Sequence, residues 1–490
     1  MHEKLYNLMT RRTIIIPSAE IYGQIAGFYE YGPAGFRIKK KIENVWRNLF
    51  VKRDNCLEID GATILPEKVF QASGHTSNFD DPMIECFNCK KRHRADHIIK
   101  DKLNIETEGK EIQYMNEIIK ENKVKCPACG GELGEVKPFN LMFKLEVGSL
   151  AGSYAYLRPE TAQNIFINFN RIFNSHGAKL PMGIAQVGKA YRNEISPRNA
   201  IIRTREFTQM EVEMFFDPES DLNEYYNKVK EIIIPYHSRK AQEKEKEHEE
   251  RSIESINKEE KINSLILYYM AKEHILLRTC GIKEYRMRHL TKEETAHYSA
   301  GNYDVEIKTD FGFVEVMSLA NRTNYDLTKH GEHSGKKFEV LDDATGRKFM
   351  PHVIEPSIGL DRLFWCSLEH AYVEDKKRGW DWLDLPPIIA PYDVYVLPLM
   401  KRDNLPEKAK EICELLRELD VYYDQSGTVG KRYAKADEIG VPYCVTIDYE
   451  TFDDESVTVR FRNDGQQMRV KISELKGKIE EWKREGKVTL

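Results

Sequence analysis

No apolar run in the 490 residues is long enough to cross a bilayer, so no membrane-spanning segment is expected. A G-x-x-x-x-G-K-[ST] loop is also missing, which excludes a P-loop nucleotide site. Nine cysteines are too few for a disulfide scaffold in a chain of this length. Nor is there an excess of basic residues: the net charge is −5, so any surface for nucleic acid must be local. The opening MHEKLYNLMTRRT has no apolar stretch followed by small residues, and a cytoplasmic location is expected. Internal repeats are absent.

What is present fits a globular chain of about three domains, 41% apolar and 31% charged. Ile38, Ile42, Val45, Trp46, Leu49 and Phe50 recur at helical spacing, with Lys39, Lys40, Lys41 and Arg47 expected on the wet side. Residues 82–137 form a polar insert bracketed by CFNC (Cys86, Cys89) and CPAC (Cys126, Cys129). Four thiolates in two CxxC units suit a closed, structural zinc site, the alternative being a pair of metal-free turns. The other five cysteines (Cys56, Cys280, Cys366, Cys413, Cys444) read as buried and inert. A second insert, about 218–295, has the charged stretch 240–261 at its centre and is expected to be a solvated helix face or a mobile loop. LPPIIAP (385–391) reads as a linker. Beyond it, residues 391–490 alternate strand, helix and strand, the pattern of an α/β domain.

The most informative segment is 183–216. In EFTQMEVEMFF (206–216), period-two alternation puts Thr208, Met210, Val212, Met214 and Phe216 on one face and Phe207, Gln209, Glu211, Glu213 and Phe215 on the other. The first is a core face; the second, with two carboxylates and an amide between aromatics, reads as either a site or an edge strand's wet face. GIAQVGKAYRNE (183–194) alternates in the same way, with Gln186, Gly188, Ala190, Arg192 and Glu194 on one side. The loop between carries Arg198 and Arg203, so an anion could be held beside the flat ring of Phe207.

YRNE (191–194), IRTREF (202–207) and TQMEVE resemble motif 2 of class II aminoacyl-tRNA synthetases, and EPSIGLDRL (355–363) resembles motif 3. The helix from Gly35 followed by GATILP (61–66) is similar to motif 1. HIGH and KMSKS, the class I signatures, are absent. Within class II, GFYEYGPAG (27–35), ASGH (72–75), RPETAQ (158–163), ANRTNYDL (320–327) and EPSIG resemble the dimeric type of glycyl-tRNA synthetase. The resemblance implies an α/β (α+β) chain: an antiparallel-sheet catalytic domain (1–81 and 138–385), a zinc-binding insertion (82–137) and an α/β anticodon-binding domain (391–490). Its partners would be glycine, ATP with Mg²⁺, tRNA(Gly) and a second copy of the chain, with no membrane.

By the same resemblance Arg192, Arg362 and Glu315 are the catalytic residues, Glu315 also holding magnesium. The ATP site takes in Arg192, Asn193, Glu194, Ile202, Arg203, Thr204, Arg205, Glu206, Phe207, Glu315, Val316, Gly359, Leu360, Asp361 and Arg362. The glycine site takes in Arg94, Glu160, Phe207, Thr208, Gln209, Met210, Glu211, Glu355, Pro356, Ser357, Ile358 and Gly359. Its carboxylates bind an ammonium group while filling the space of a Cβ. Gly430, Lys431, Arg432, Tyr433, Lys435 and Asp437, with Arg460 and Arg462, are candidate RNA contacts. Removal of everything after Pro391 is expected to spare amino-acid activation. Two other readings stay open: a regulatory RNA-binding protein on the same fold, and a ligase for proline, serine or threonine.

Overall fold

A computed structural model describes every residue except 1, 108, 149–151, 198–199, 293, 296–298, 343–344 and 485–490; Arg198 therefore lies outside the described residues. The body is a nine-stranded, largely antiparallel sheet. Its strands are β1 (Leu57–Ile59), β2 (Met182–Tyr191), β3 (Glu206–Phe216), β4 (Ile233–His237), β5 (Glu249–Ser252), β6 (Tyr285–His289), β7 (Asn302–Thr309), β8 (Gly312–Thr323) and β9 (His352–Gly359). They lie side by side in the order β5-β4-β6-β7-β8-β9-β3-β2-β1. β2 and β3 pair antiparallel from Met182 opposite Phe215 to Tyr191 opposite Glu206. β3 is thus central, and the wet-edge reading of its second face is incorrect: Glu211 and Glu213 are buried.

The two faces of β3 pack on different clusters. Met210, Val212, Met214 and Phe216 enter the main core with helices α1 (Pro33–Trp46), α3 (Ser264–Thr279) and α4 (Leu360–Ala371). On the other face Phe215 stacks on Phe169 of helix α2 (Ala162–Ser175), ring centroids 4.2 Å apart. That helix covers only one end of the face, so Phe207, Gln209 and Glu211 are left beside an open cavity.

Helix α1 starts on Pro33 at its first turn, where the missing N–H costs no hydrogen bond, and buries Ile38, Ile42, Val45 and Trp46 as its periodicity predicts. Lys39 departs from expectation. It is buried, donating to Thr208 Oγ1 (2.6 Å) and Asp361 Oδ1 (3.3 Å) across the sheet. The stretch 218–295 also departs. It supplies β4, β5 and β6 and the whole of α3, which is buried nearly all round, including Lys272 paired with Asp54. The parts around 218–228 and 240–250 stay largely at the surface.

Residues 80–140 form a three-stranded sheet (Asp80–Glu85, Arg92–Arg94, Lys137–Asn140) with two helices and a small core of Ile84, Ile98, Ile99, Met115, Ile118 and Ile119. The C-terminal unit is a five-stranded sheet ordered Val421–Tyr423, Val394–Pro398, Tyr443–Ile447, Ser456–Phe461, Gln467–Lys471, parallel over the first three. The proline-rich stretch before it is no free tether: Leu385, Ile389 and Ala390 are buried, and Arg462 donates to Leu385 O at 2.9 Å. Gly440, at φ +80°, lies so close to that stretch that a Cβ would meet Leu385 Cδ1 at 2.7 Å. Tyr395, Ala436 and Cys444 join the body's own core, so C-terminal unit and body share one apolar interior.

Candidate active site

Strand register builds the site. One cross-strand row runs Gln186, Glu211, Ser357, Ser318, Asp304, since each adjacent pair is in direct register. The row behind it holds Glu355, Ala320 and Asn302, and the register of β3 with β9, the same on either side of Glu213, sets that residue opposite Glu355. Glu211, Ser357, Ser318, Glu355, Ala320 and Asn302 of these rows, with the loop from Arg192 to Phe207, line a cavity of about 240 Å³.

The deep end is acidic. Glu211 Oε1 accepts from Ser357 Oγ (2.7 Å), and its Oε2 accepts from the Thr161 N–H (3.1 Å) and hydroxyl. Glu160 accepts from Gln163 Nε2 (2.7 Å) and faces His75 Nε2 at 3.5 Å. Glu355 accepts from Arg322 Nη1 (2.8 Å), whose Nε and Nη2 bind Asp326 at 2.7 and 2.9 Å. Neither Glu213 oxygen has a hydrogen-bond partner among the described residues. Burial, then repulsion from Glu211 and Glu160, outweighs Arg322 and pushes the Glu355 carboxyl up to about 8. Burial and Glu355 push Glu213 well above the ordinary range, and burial with Glu160 raises Glu211. Glu160 is the opposite case: against its burial, His75 and Arg322 hold it below the ordinary carboxylate range. Five acids gathered around one arginine leave this end short of positive charge, the condition for binding a cation.

The shallow end is basic and aromatic. The Arg192 guanidinium stands 5.2 Å from the Phe207 ring centroid and 5.3 Å from that of Phe79, and its Nε donates to Pro159 O (3.2 Å). β2 ends at Tyr191, so Arg192 and Glu194 extend from the following loop, where Arg203 Nε fixes Glu194 at 2.7 Å. Arg362, in the first turn of α4, donates to Ile202 O (3.1 Å) and Glu315 O (2.7 Å). The Glu315 carboxylate is half-exposed at the mouth and, after burial, is the main cause that pushes Asp304 up to about 8.

Of the residues expected at the site, Glu160, Arg192, Glu194, Ile202, Arg203, Thr204, Phe207, Thr208, Gln209, Glu211, Glu315, Val316, Glu355, Ser357, Gly359, Asp361 and Arg362 line the cavity. Asp361 does so while accepting from the Thr208 N–H, Tyr31 and Lys39. Met210, Pro356, Ile358 and Leu360 are buried away from it, because neighbours in a strand face opposite ways. Asn193 (N–H to Leu141 O, 2.6 Å), Arg205 (to Glu194 O and Ala26 O) and Glu206 (to Lys189, 2.9 Å) support the loop from behind. Arg94 is held by Asp81 (3.1 Å) and Asp96 outside the lining. Sequence reasoning missed Arg322, Asn302, Ser318 and Ala320, which the cavity includes. The signal was present for two of them, since ANRT carries Ala320 and Arg322 at strand spacing.

The sulfurs of Cys86, Cys89, Cys126 and Cys129 lie within 4.8 Å of one another. The Cys89 and Asn88 N–H groups draw the Cys86 thiol down to about 6, toward the thiolate a metal requires. Gly131 leaves room for the cluster: a Cβ there would stand 3.2 Å from Cys129 Sγ and 3.3 Å from Cys86 Sγ. The donor set and its spacing fit a tetrahedral ion.

The candidate RNA contacts are mostly structural. Arg432 is buried, donating to Pro398 O (2.6 Å) and Leu399 O, and Tyr433 hydrogen-bonds Thr446. Asp437, also buried, takes both guanidinium arms of Arg460 at 2.8 and 2.9 Å. Arg462 binds Asp384 and Gly440 O. Lys431 and Lys435 alone in that group carry their charge at the surface.

Residues 143–371 match the family described as "tRNA synthetase class II core domain (G, H, P, S and T)", and residues 393–482 match "Anticodon binding domain". The fold is therefore that of a class II tRNA synthetase. The same architecture recurs in the crystal structure of prolyl-tRNA synthetase from Cryptosporidium parvum complexed with L-proline and AMP (TM-score 0.62, 14% identity, 98% of this chain and 76% of that one). Among sequences, the chain is 39% identical to the glycine-tRNA ligase of Methanocaldococcus jannaschii, over 97% of this chain and 98% of that one. It is 40% identical to that of Pyrococcus horikoshii, over 98% of each. The chain belongs to the glycine-tRNA ligase family.

Proposed function

We propose that this chain joins glycine to tRNA(Gly) in two steps on the cavity described above. A glycine carboxylate oxygen attacks the α-phosphorus of ATP, forming glycyl-adenylate as the bond to pyrophosphate breaks. The 3′-terminal ribose hydroxyl of the tRNA then attacks the glycyl carbonyl, AMP leaves, and the hydroxyl proton is lost to solvent. Positioning and charge supply the rate, with no covalent link to the protein. Arg192 binds the α-phosphate and the glycine carboxylate, and Arg362 closes the other side of ATP. Phe207 stacks on adenine and Glu194, oriented by Arg203, accepts from its amino group.

The observation that carries the glycine reading is the acidic deep end. Glu160, Glu211 and Glu355 are short of a cation, and an α-ammonium supplies it, while the same side chains and Ser357 fill the space any Cβ would need. Glu315, half-exposed at the mouth and 3.8 Å from Arg362, fits a magnesium ion carried in with ATP, which when bound neutralises triphosphate charge. Cys86, Cys89, Cys126 and Cys129 hold a structural zinc ion within the 82–137 insertion. Residues 1–81 and 138–385 form the catalytic domain and 391–490 the anticodon-binding domain of a cytoplasmic homodimer. Support for the dimer comes from exposed Ile21, Tyr22 and Ile25, on the segment leading into α1, and from Phe36 on α1 itself. Sedimentation at the mass of a single 57.2 kDa chain would count against it.

Incubation with ATP, labelled glycine and tRNA(Gly) tests the whole reading. Labelled glycyl-tRNA should form together with AMP, and Arg192→Ala should lose both adenylate formation and charging. Charging that persists undiminished in that variant would remove Arg192 from its role.

A further inference from the structure

The N-terminal helix, His2–Arg11, touches the active-site elements at one end and the C-terminal unit at the other. At its C-terminal end Arg11 Nη2 donates to Glu438 Oε1 (2.8 Å), and Arg12, just past the helix, donates to Glu438 Oε2. Glu438 is 4% exposed and is the last residue of helix α5 (Val429–Glu438). Its neighbour Asp437 is held from the body by Arg378 Nη1 and Trp380 Nε1, each at 3.2 Å. A buried carboxylate gripped by two arginines of another unit fixes an angle between units, because slippage would leave its charge unpaired out of water.

The other end of the helix meets both parts of the ATP side. The His2 N–H donates to Asp310 Oδ2 (2.8 Å), and its ring packs on Phe311 and Trp365 with centroids 4.4 and 5.0 Å away. Asp310 and Phe311 form the turn from β7 into β8, the strand that carries Glu315. Trp365 lies on α4, the helix that carries Arg362, and Trp365 Nε1 and the Asp310 N–H both donate to Glu369, at 2.7 and 2.6 Å.

We infer that Glu438 is a positioning residue for tRNA charging: through the N-terminal helix it sets the C-terminal unit at the angle where an RNA bound to that unit delivers its 3′ end to the Glu315–Arg362 site. This rests on the tRNA-ligase reading above. Glu438 touches no substrate, and its side chain is turned to Arg11 and Arg12 instead of to solvent.

The test compares wild type, Glu438→Gln, and a reversed pair carrying Arg12→Glu with Glu438→Arg in an Arg11→Gln background, which keeps Arg11 from facing the new arginine, each assayed for glycine-dependent ATP–pyrophosphate exchange and for charging of full-length tRNA(Gly). In Glu438→Gln, exchange should stay within about twofold of wild type while KM for tRNA rises by about tenfold, and the reversed pair should recover most of that loss. An unchanged KM for tRNA, a parallel loss of exchange, or a loss the reversed pair does not relieve would each overturn the inference. Wild type that shows no glycine exchange would instead overturn the ligase reading and the coupling with it.

Discussion

Burying several carboxylates around a single arginine is costly unless something positive completes the set, and burial raises the Glu355, Glu211 and Glu213 carboxyls toward the protonated form. Glu355 is the residue to follow, because its carboxyl rises to about 8 through burial and the repulsion of Glu211 and Glu160. A raised carboxyl binds a proton in the folded state that the unfolded chain has released. Its contribution to stability is therefore full below the unfolded value near 4.5 and is lost as pH climbs through about 8. The glycine ammonium favours the ionised form, so KM for glycine should fall as pH rises from about 6.5 to 8.5, by at most about tenfold per unit. In Glu355→Gln the KM should be higher and flat across that range. A wild-type KM that ignores pH would contradict this account of the pocket. Glu211, Glu355 and Ser357 could be found from sequence because each sits in a motif, and Glu211 also lies on a predicted strand face. Arg322, which holds Glu355, stands in the ANRT motif, but only the register of β8 with β9 shows which carboxylate it meets. Lys39 was hidden for a related reason: helical periodicity gives the stripe, and only the meeting with Asp361 makes a lysine at its margin a buried one.

At the scale of elements, the pairing of β2 with β3 was readable because both strands are long and alternate cleanly. The burial of their polar face was not, since period two is the same for a wet edge and for a strand whose neighbours arrive from 140 residues further on. The segment 240–261 looked like a solvated insert because its charge density hides a short strand, β5, and the N-caps Ser238 and Ser252, each of which accepts from a backbone N–H three residues on. The cysteine pairs were legible as pairs, since CxxC spacing brings each half together, and the fold of 90–125 joins the two halves. Zinc content should be about one ion per chain and fall to none in Cys86→Ser, with the 80–140 sheet losing protection from hydrogen exchange ahead of the body. Retention of stoichiometric zinc by that variant would exclude the four-thiolate site.

At the scale of the whole molecule, the C-terminal unit is less separable than its proline-rich approach suggests. Leu385 and Ile389 are buried, Arg462 and Arg378 tie the connection to the C-terminal sheet and helix, and Tyr395, Ala436 and Cys444 complete the body's core. Proline content signals a turn, and a turn can be packed as readily as exposed. Truncation after Pro391 uncovers that apolar face and leaves Arg11 and Arg12 without Glu438, so the shortened chain should melt well below the full one and lose activation through instability. A truncated chain of unchanged melting temperature would show that the shared core contributes little. The RNA surface was misjudged for the same cause: GTVGKRYAKAD is basic in composition, yet Arg432 and Asp437 are turned inward by the contacts that dock α5.

The central claim is that the acidic pocket selects the amino acid without a side chain. ATP–pyrophosphate exchange, measured on the full chain with glycine, alanine, serine, proline and threonine in turn, tests it most directly. The account predicts strong exchange with glycine and little with the other four. Exchange driven better by any of those four, or by none of the five, would contradict it.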